Sequence, residues 1–178
     1  IDSSGESLLT LINDILDFSK IESGQLEFES IPFSLDSILE TVIKLLKFKA
    51  DSKKLEFKYE YIDHVPLDLS GDPVRLKQII INLVNNAIKF TKEGHVHIHV
   101  QVKEQDDDTV LLLFEIEDTG IGIAEESVPK LFQSFSQANL TTNRKFGGTG
   151  LGLAISKELS RLMHGQIGVR STVGVGSC

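Results

Sequence analysis

One change of rhythm limits what this chain can fold into more than any other feature. Asp72 followed by Pro73 is a strong helix start, and from Val74 to Phe90 the apolar residues keep the 3.6-residue period of a helix. Immediately afterwards H-V-H-I-H-V-Q-V and V-L-L-L-F-E-I-E-D alternate with a period of two, separated by the polar loop E-Q-D-D-D-T. That pattern predicts an antiparallel hairpin, and a helix this apolar must lie on one face of the sheet to which the hairpin belongs.

The flanking segments extend the scheme. Leu8, Leu11, Ile12, Ile15, Leu16 and Phe18 recur at helical spacing between Ser3 and Ile21, and Gly24 ends that helix. L-E-F-E-S-I reads as a short strand, and S-L-D-S-I-L-E-T-V-I-K-L-L-K-F as a helix with Ser34 as its N-cap. L-E-F-K-Y-E-Y-I reads as a strand, and Gly94 as the stop after the central helix. Further on we expect a short helical piece from Val128 to Phe135, a helix over A-I-S-K-E-L-S-R-L-M-H-G and a strand over Q-I-G-V-R-S. The expected class is α+β, with helices on one face of a mixed sheet and a separate amphipathic helix at the start.

With 178 residues, 40% of them apolar, the chain can bury one substantial core. Its net charge of −8 opposes general attraction to nucleic acid or anionic membranes, so a polyanionic ligand needs a local site. The single Cys178 cannot form an internal disulfide, and no apolar run approaches the roughly 20 residues that span a bilayer. An intracellular setting fits these facts. The chain opens within a pattern and stops inside V-G-V-G-S-C, which reads as an excised fragment.

Two polar features need a purpose. On the central helix, Arg75, Gln78, Asn82, Asn86 and Lys89 fall in a stripe roughly 80° wide, while apolar residues cover most of the circumference and predict a largely buried helix. The stripe is either a solvated face or the wall of a polar site. Paired asparagines are poor helix formers, and their amide oxygens can ligate Mg²⁺. On the second hairpin strand, Asp118 shares a face with Leu112, Phe114 and Ile116, whereas Glu115 and Glu117 point the other way. Asp118 is either the cap of an Asx turn or an inward carboxylate that meets a specific donor.

F-G-G-T-G-L-G-L, from Phe146 to Leu153, places four glycines before a helix. Such density predicts left-handed backbone or close approach of main-chain N–H groups to a ligand. The dinucleotide fingerprint fails because Leu153 stands where its third glycine belongs, and no Gly-Lys-Ser/Thr of a phosphate loop occurs. The H-R-D, D-F-G and V-A-I-K motifs of eukaryotic protein kinases are missing. His95, His97 and His99 lie on one strand face in parallel, a poor arrangement for a metal, and read as solvated.

In this order and spacing, N-L-V-N-N-A-I-K-F, D-T-G-I-G-I, L-F-Q-S-F and G-G-T-G-L-G-L resemble the N, first glycine, F and second glycine boxes of sensor histidine kinases. S-T-V-G-V-G-S resembles the last glycine motif, and L-I-N-D-I-L-D-F-S-K-I-E-S-G the second helix of the family's dimerisation and phosphoacceptor hairpin. F-S-Q-A and R-K-F-G-G-T-G-L-G-L-A-I-S-K look most like the hybrid kinases, which carry a receiver domain. The resemblance implies a two-layer α/β sandwich like that of the gyrase and heat-shock chaperone ATPases. It divides the chain into hairpin helix, residues 1–24, and catalytic ATP-binding domain, residues 25–178.

The same resemblance implies ATP and Mg²⁺ as ligands. Asn86 would hold the metal beside Asn82, Lys89 would meet phosphate, Phe90 would pack near adenine, and Asp118 would accept from the adenine amino group. Gly120, Gly122 and Ile123 would border the nucleotide, and Phe132 and Phe135 would anchor a lid. Arg144 and Lys145 would add charge to that lid, and Gly148, Thr149, Gly150, Leu151 and Gly152 would bring N–H groups to the phosphates. The implied partners are a phosphoacceptor helix, a receiver domain and a second copy in the full-length protein, in the cytoplasm, with no nucleic acid or membrane contact by this piece. None of the five histidines fits the acceptor pattern, so self-phosphorylation is not expected. An ATP-operated clamp of the gyrase or chaperone type and a silent docking module are the alternatives.

Overall fold

The structure, a computed structural model, describes residues 2–134 and 150–178. In order, the helices are α1 (Asp2–Glu22), α2 (Leu35–Ser52), α3 (Pro73–Phe90) and α4 (Gly152–Leu162). The strands are β1 (Ile31–Ser34), β2 (Glu56–Ile62), β3 (Asp68–Gly71), β4 (His95–Gln105), β5 (Val110–Asp118), β6 (Ser171–Thr172) and β7 (Gly176–Ser177). The chain divides into two compact units, Ile1–Phe28 with Glu126–Ile167, and Glu29–Glu125 with Gly168–Cys178.

The second unit is the predicted α+β arrangement. Its main sheet runs β2-β4-β5-β7-β6, with β2 parallel to β4 and the remaining pairs antiparallel. Val96, Ile98 and Val100 of β4 are fully buried at every second position. Leu35, Leu39, Val42 and Leu46 of α2, together with Ile80, Val84 and Ile88 of α3, complete one core with them. Each such side chain contributes on the order of 2 kcal/mol on leaving water.

The helix starts follow their sequence signals. Ser34 Oγ accepts the N–H of Ser37 at 3.3 Å. Asp72 Oδ1 accepts from Val74 and Arg75 at 3.0 and 2.9 Å, and its Oδ2 takes the N–H of Glu29 at 3.2 Å. Asp72 is buried, so this saturation is what makes a carboxylate tolerable there. In the first turn of α2, Asp36 accepts from the hydroxyls of Tyr59 and Tyr61 at 2.9 and 3.0 Å, which ties the edge strand β2 to that helix.

In the first unit, α1 carries the predicted apolar face, and Leu8, Ile12, Ile15 and Leu16 stay exposed on it. α4 buries Ala154, Ile155 and Leu159.

Several expectations shift. Of L-E-F-E-S-I only Ile31 enters a strand; the ladder forms at Ile31–Ser34, because β3, which the pattern did not announce, pairs there. Of Q-I-G-V-R-S only Ser171 enters a strand, although Arg170 exchanges backbone bonds with Cys178 at 2.8 and 2.7 Å. The piece expected from Val128 is a 3-10 turn over Glu125–Lys130, with Pro129 inside it. Proline has no N–H for a continuing α-helical ladder. α3 stops at Phe90 with Thr91 as its cap, and Gly94 lies beyond in a turn at φ +102.

Candidate functional site

α3 is buried or half-buried at every position but Val74, in keeping with the largely buried helix expected. Ile80, Val84, Ala87 and Ile88 are buried, and Val74 is 54% exposed. Arg75, Gln78, Asn82, Asn86 and Lys89 are all half-buried on the opposite side, so the stripe is not a freely solvated face. Arg75 Nη1 donates to Gln78 Oε1 at 2.9 Å. Lys89 Nζ lies 4.8 Å from the centroid of the Phe90 ring, and burial lowers its pKa.

Leu112, Phe114 and Ile116 of β5 pack on the core, and Asp118 ends the same face half-buried. Its Oδ1 accepts the N–H of Gly120 at 2.7 Å, the contact of an Asx turn. Ser177 is its partner across β5 and β7, and the N–H and hydroxyl of Ser177, with the N–H of Gly120, favour the charged carboxylate. Burial pushes the Asp118 pKa up, and these donors oppose the shift. Capping therefore accounts for part of this carboxylate, while burial keeps it sensitive to what binds it.

Two glycines hold the turn for reasons internal to the protein. A Cβ on Gly120 would stand 2.7 Å from Asp118 Oδ1 and 2.8 Å from the carbonyl oxygen of Phe90. Gly122 sits at φ +66, where a Cβ would meet the Thr172 carbonyl oxygen at 2.1 Å. Asp118, Gly120 and the end of α3 are thus in contact, and Ile121 N–H donates to Phe90 O at 3.4 Å. Ile123 N–H is held by Ser171 Oγ at 2.8 Å, and Ser171 Oγ lies 2.9 Å from Ser177 Oγ. Both serines lie in S-T-V-G-V-G-S, and neither carries a role predicted from sequence. Nothing in a period-two pattern tells which serine crosses to an aspartate some sixty positions earlier.

In the first unit, Gly150 has φ +73, Leu151 is buried, and α4 begins with Leu151 as an N-cap that makes no side-chain capping bond. α2 and α3, by contrast, are capped by Ser34 and Asp72. Phe132 is half-buried. Phe135, Arg144, Lys145, Gly148 and Thr149 lie outside the described residues.

A groove of about 280 Å³ between α2 and the start of α3, lined by Phe33, Ile38, Thr41, Val74 and Lys77 among others, holds none of the predicted site residues. The imidazoles of β4 are less solvated than expected. The side chains of His97 and His99 are 14% and 17% exposed, and they lie 3.2 Å from Glu56 and 2.9 Å from Glu60. Among the described residues no group of three His, Cys, Asp or Glu side chains is arranged to hold a metal.

The second unit is an α+β arrangement that sets a capped, half-buried aspartate against the end of an asparagine-bearing helix. Residues 71–178 match the family described as Histidine kinase-, DNA gyrase B-, and HSP90-like ATPase, and the chain belongs to it. It is 51% identical over 177 residues to the Sensor histidine kinase GacS of Pseudomonas protegens, covering 99% of this chain and 19% of that protein. The chain thus spans about a fifth of that relative's length. Full-length ShkA, solved in complex with AMPPNP, superposes with a TM-score of 0.82 at 32% identity, over 98% of this chain and 35% of ShkA. Histidine kinase ThkA, solved with the response regulator TrrA, gives 0.70 at 27% identity, over 99% of this chain and 46% of ThkA. Among the described residues no helix is long and apolar enough to cross a membrane.

Proposed function

We propose that this chain is the ATP-binding catalytic region of a sensor histidine kinase, with residues 1–24 as the second helix of the phosphoacceptor hairpin and residues 25–178 as the catalytic domain. The observation that carries this reading is Asp118, half-buried at the end of β5, oriented by the N–H of Gly120 and paired across the ladder with Ser177, beside the last turn of α3. A carboxylate only accepts, so at this place it selects the amino group of adenine over the carbonyl of guanine. Phe90 offers an apolar ring for the base, and Gly120, Gly122 and Ile123 shape the turn that borders it. Lys89, partly desolvated, gains a counter-charge when phosphate arrives.

Asn86 is the proposed Mg²⁺ ligand, with Asn82 beside it. The donor chemistry fits: with no all-protein cage among the described residues, one amide oxygen suits an ion that takes most of its shell from phosphate and water. Bound Mg²⁺ would neutralise phosphate charge. Gly148, Thr149, Gly150, Leu151 and Gly152 are proposed as phosphate donors because G-G-T-G-L-G-L resembles the family's second glycine box, and main-chain N–H groups at a helix start suit an anion. Arg144 and Lys145 are proposed as further cations of the lid.

In the reaction, a histidine nitrogen on a separate hairpin helix forms a bond to the γ-phosphorus as its bond to the bridging oxygen breaks, and ADP leaves. A receiver aspartate then takes the phosphoryl group, in keeping with the response-regulator complex solved for ThkA. Full-length dimerisation and a cytoplasmic setting belong to the same proposal. The kinase reading is favoured over a hydrolytic clamp because Asn82 occupies the place where the clamps carry a glutamate, and an amide cannot serve as general base.

Calorimetry with AMPPNP tests the site. The wild-type chain should bind it in preference to the guanine analogue, and Asp118→Asn should lose roughly ten- to a hundredfold in affinity with the fold intact. Unchanged affinity would remove Asp118 from the site.

A further inference from the structure

An α-helix leaves its last four carbonyl groups without a donor of its own. In α3 these belong to Ala87, Ile88, Lys89 and Phe90. Ala87 O takes the N–H of Thr91 at 3.0 Å and its hydroxyl at 2.7 Å. Phe90 O takes the N–H of Ile121 at 3.4 Å. The remaining two are met by one group from another helix. Lys53 Nζ, at the C-cap of α2, donates to Ile88 O at 2.6 Å and Lys89 O at 2.9 Å, and also reaches Thr91 O at 3.0 Å.

An ammonium group has three N–H donors, and here all three are spent on the end of a neighbouring helix. Its charge also lies at the half-negative pole of α3. A planar guanidinium would not match three convergent carbonyls equally well. Lys53 is half-buried, which makes those bonds costly to lose. The turn it fastens carries Lys89 and Phe90, and the Phe90 carbonyl is what Ile121 and the missing Cβ of Gly120 rest against.

We propose that Lys53 is a positioning residue for the nucleotide site: it fixes the last turn of α3, and through Phe90 O the Asp118–Ile121 turn, in the geometry that receives adenine. The proposal rests on the nucleotide reading above. It also gives the α2–β2 corner, which no site motif includes, a part in binding.

The 178-residue chain is compared as wild type, Lys53→Met and Lys53→Gln by amide hydrogen exchange without nucleotide and by calorimetry with AMPPNP and Mg²⁺. In Lys53→Met, exchange at Thr91 and Ile121 should speed up roughly tenfold while the amides of β4 keep their protection. AMPPNP affinity should fall roughly tenfold, and Lys53→Gln should show the same changes to a lesser degree. Wild-type exchange at Thr91 and Ile121 would overturn the proposal, as would altered exchange with unaltered affinity. If Lys53→Met fails to fold, Lys53→Gln decides alone, and wild-type behaviour in it would overturn the idea. Failure of the wild-type chain itself to bind AMPPNP would overturn the nucleotide reading and this proposal with it, whatever the exchange data show.

Discussion

Asp118 and Asn86 do different work, and their substitution should separate adenine recognition from metal-assisted phosphate binding. Asp118 gains from what it accepts, and burial already disfavours its charge. Asn86 has no charge to lose, so Asn86→Ala should weaken AMPPNP binding with Mg²⁺ present by roughly tenfold and leave metal-free binding nearly unchanged. Titrations with Mg²⁺ and with a chelator measure both arms, and equal losses would contradict a ligand role. The residues that support these two, Ser177 for Asp118 and Lys53 for the end of α3, are ordinary in sequence and become visible only through their partners.

At the scale of elements, β4 shows how one strand serves two environments. Its inward positions Val96, Ile98 and Val100 are fully buried, while His95, His97 and His99 stand on the other face. The rings of His95 and His97 stack at 4.1 Å, with Glu56, Lys58 and Glu60 of β2 and Glu117 of β5 around them. For His97, burial lowers the pKa from the ordinary 6.5, aided by His95 and Lys58 and opposed by Glu56. The unfolded chain therefore takes up this proton first as pH falls. Stability is retained above 6.5 and declines as pH drops toward the folded pKa. His97→Gln should flatten that decline as pH falls below 6.5, as read from urea midpoints at each pH. A decline as steep as wild type would assign it to other groups.

For the whole molecule, the prediction concerns what this chain does alone. All five histidines are described. His95, His97 and His99 are on β4, His64 and His164 are exposed, and His164 ends a helix at φ +61. Incubation with γ-labelled ATP should label none of them, whereas a longer chain that adds the first hairpin helix should form acid-labile, base-stable phosphohistidine. Label on this chain alone would refute the division of labour proposed between catalytic region and acceptor. Sustained release of inorganic phosphate would favour the clamp reading. The exposed apolar residues of α1, Leu8, Ile12, Ile15 and Leu16, agree with a helix made to pair with others.

Periodicity was enough to determine the long elements: α1, α2 and α3, the β4–β5 hairpin, and the inward aim of Asp118, because burial on one side leaves a repeating trace in the order of residues. Caps at Ser34 and Asp72 were equally legible, being contacts within three positions. Short strands were not. β1 and β3 exist because each supplies the other's ladder across some forty residues, β7 joins the sheet through Asp118 of β5, and L-E-F-E-S-I, with the same alternation, pairs only at Ile31. The glycines announced a special backbone, but tertiary packing decided that Gly120 and Gly122 are required by the protein's own carbonyls. It likewise decided that Ser177 faces Asp118 and Lys53 closes α3, since a pairing across thirty or sixty residues depends on where two elements meet and leaves no local pattern in either.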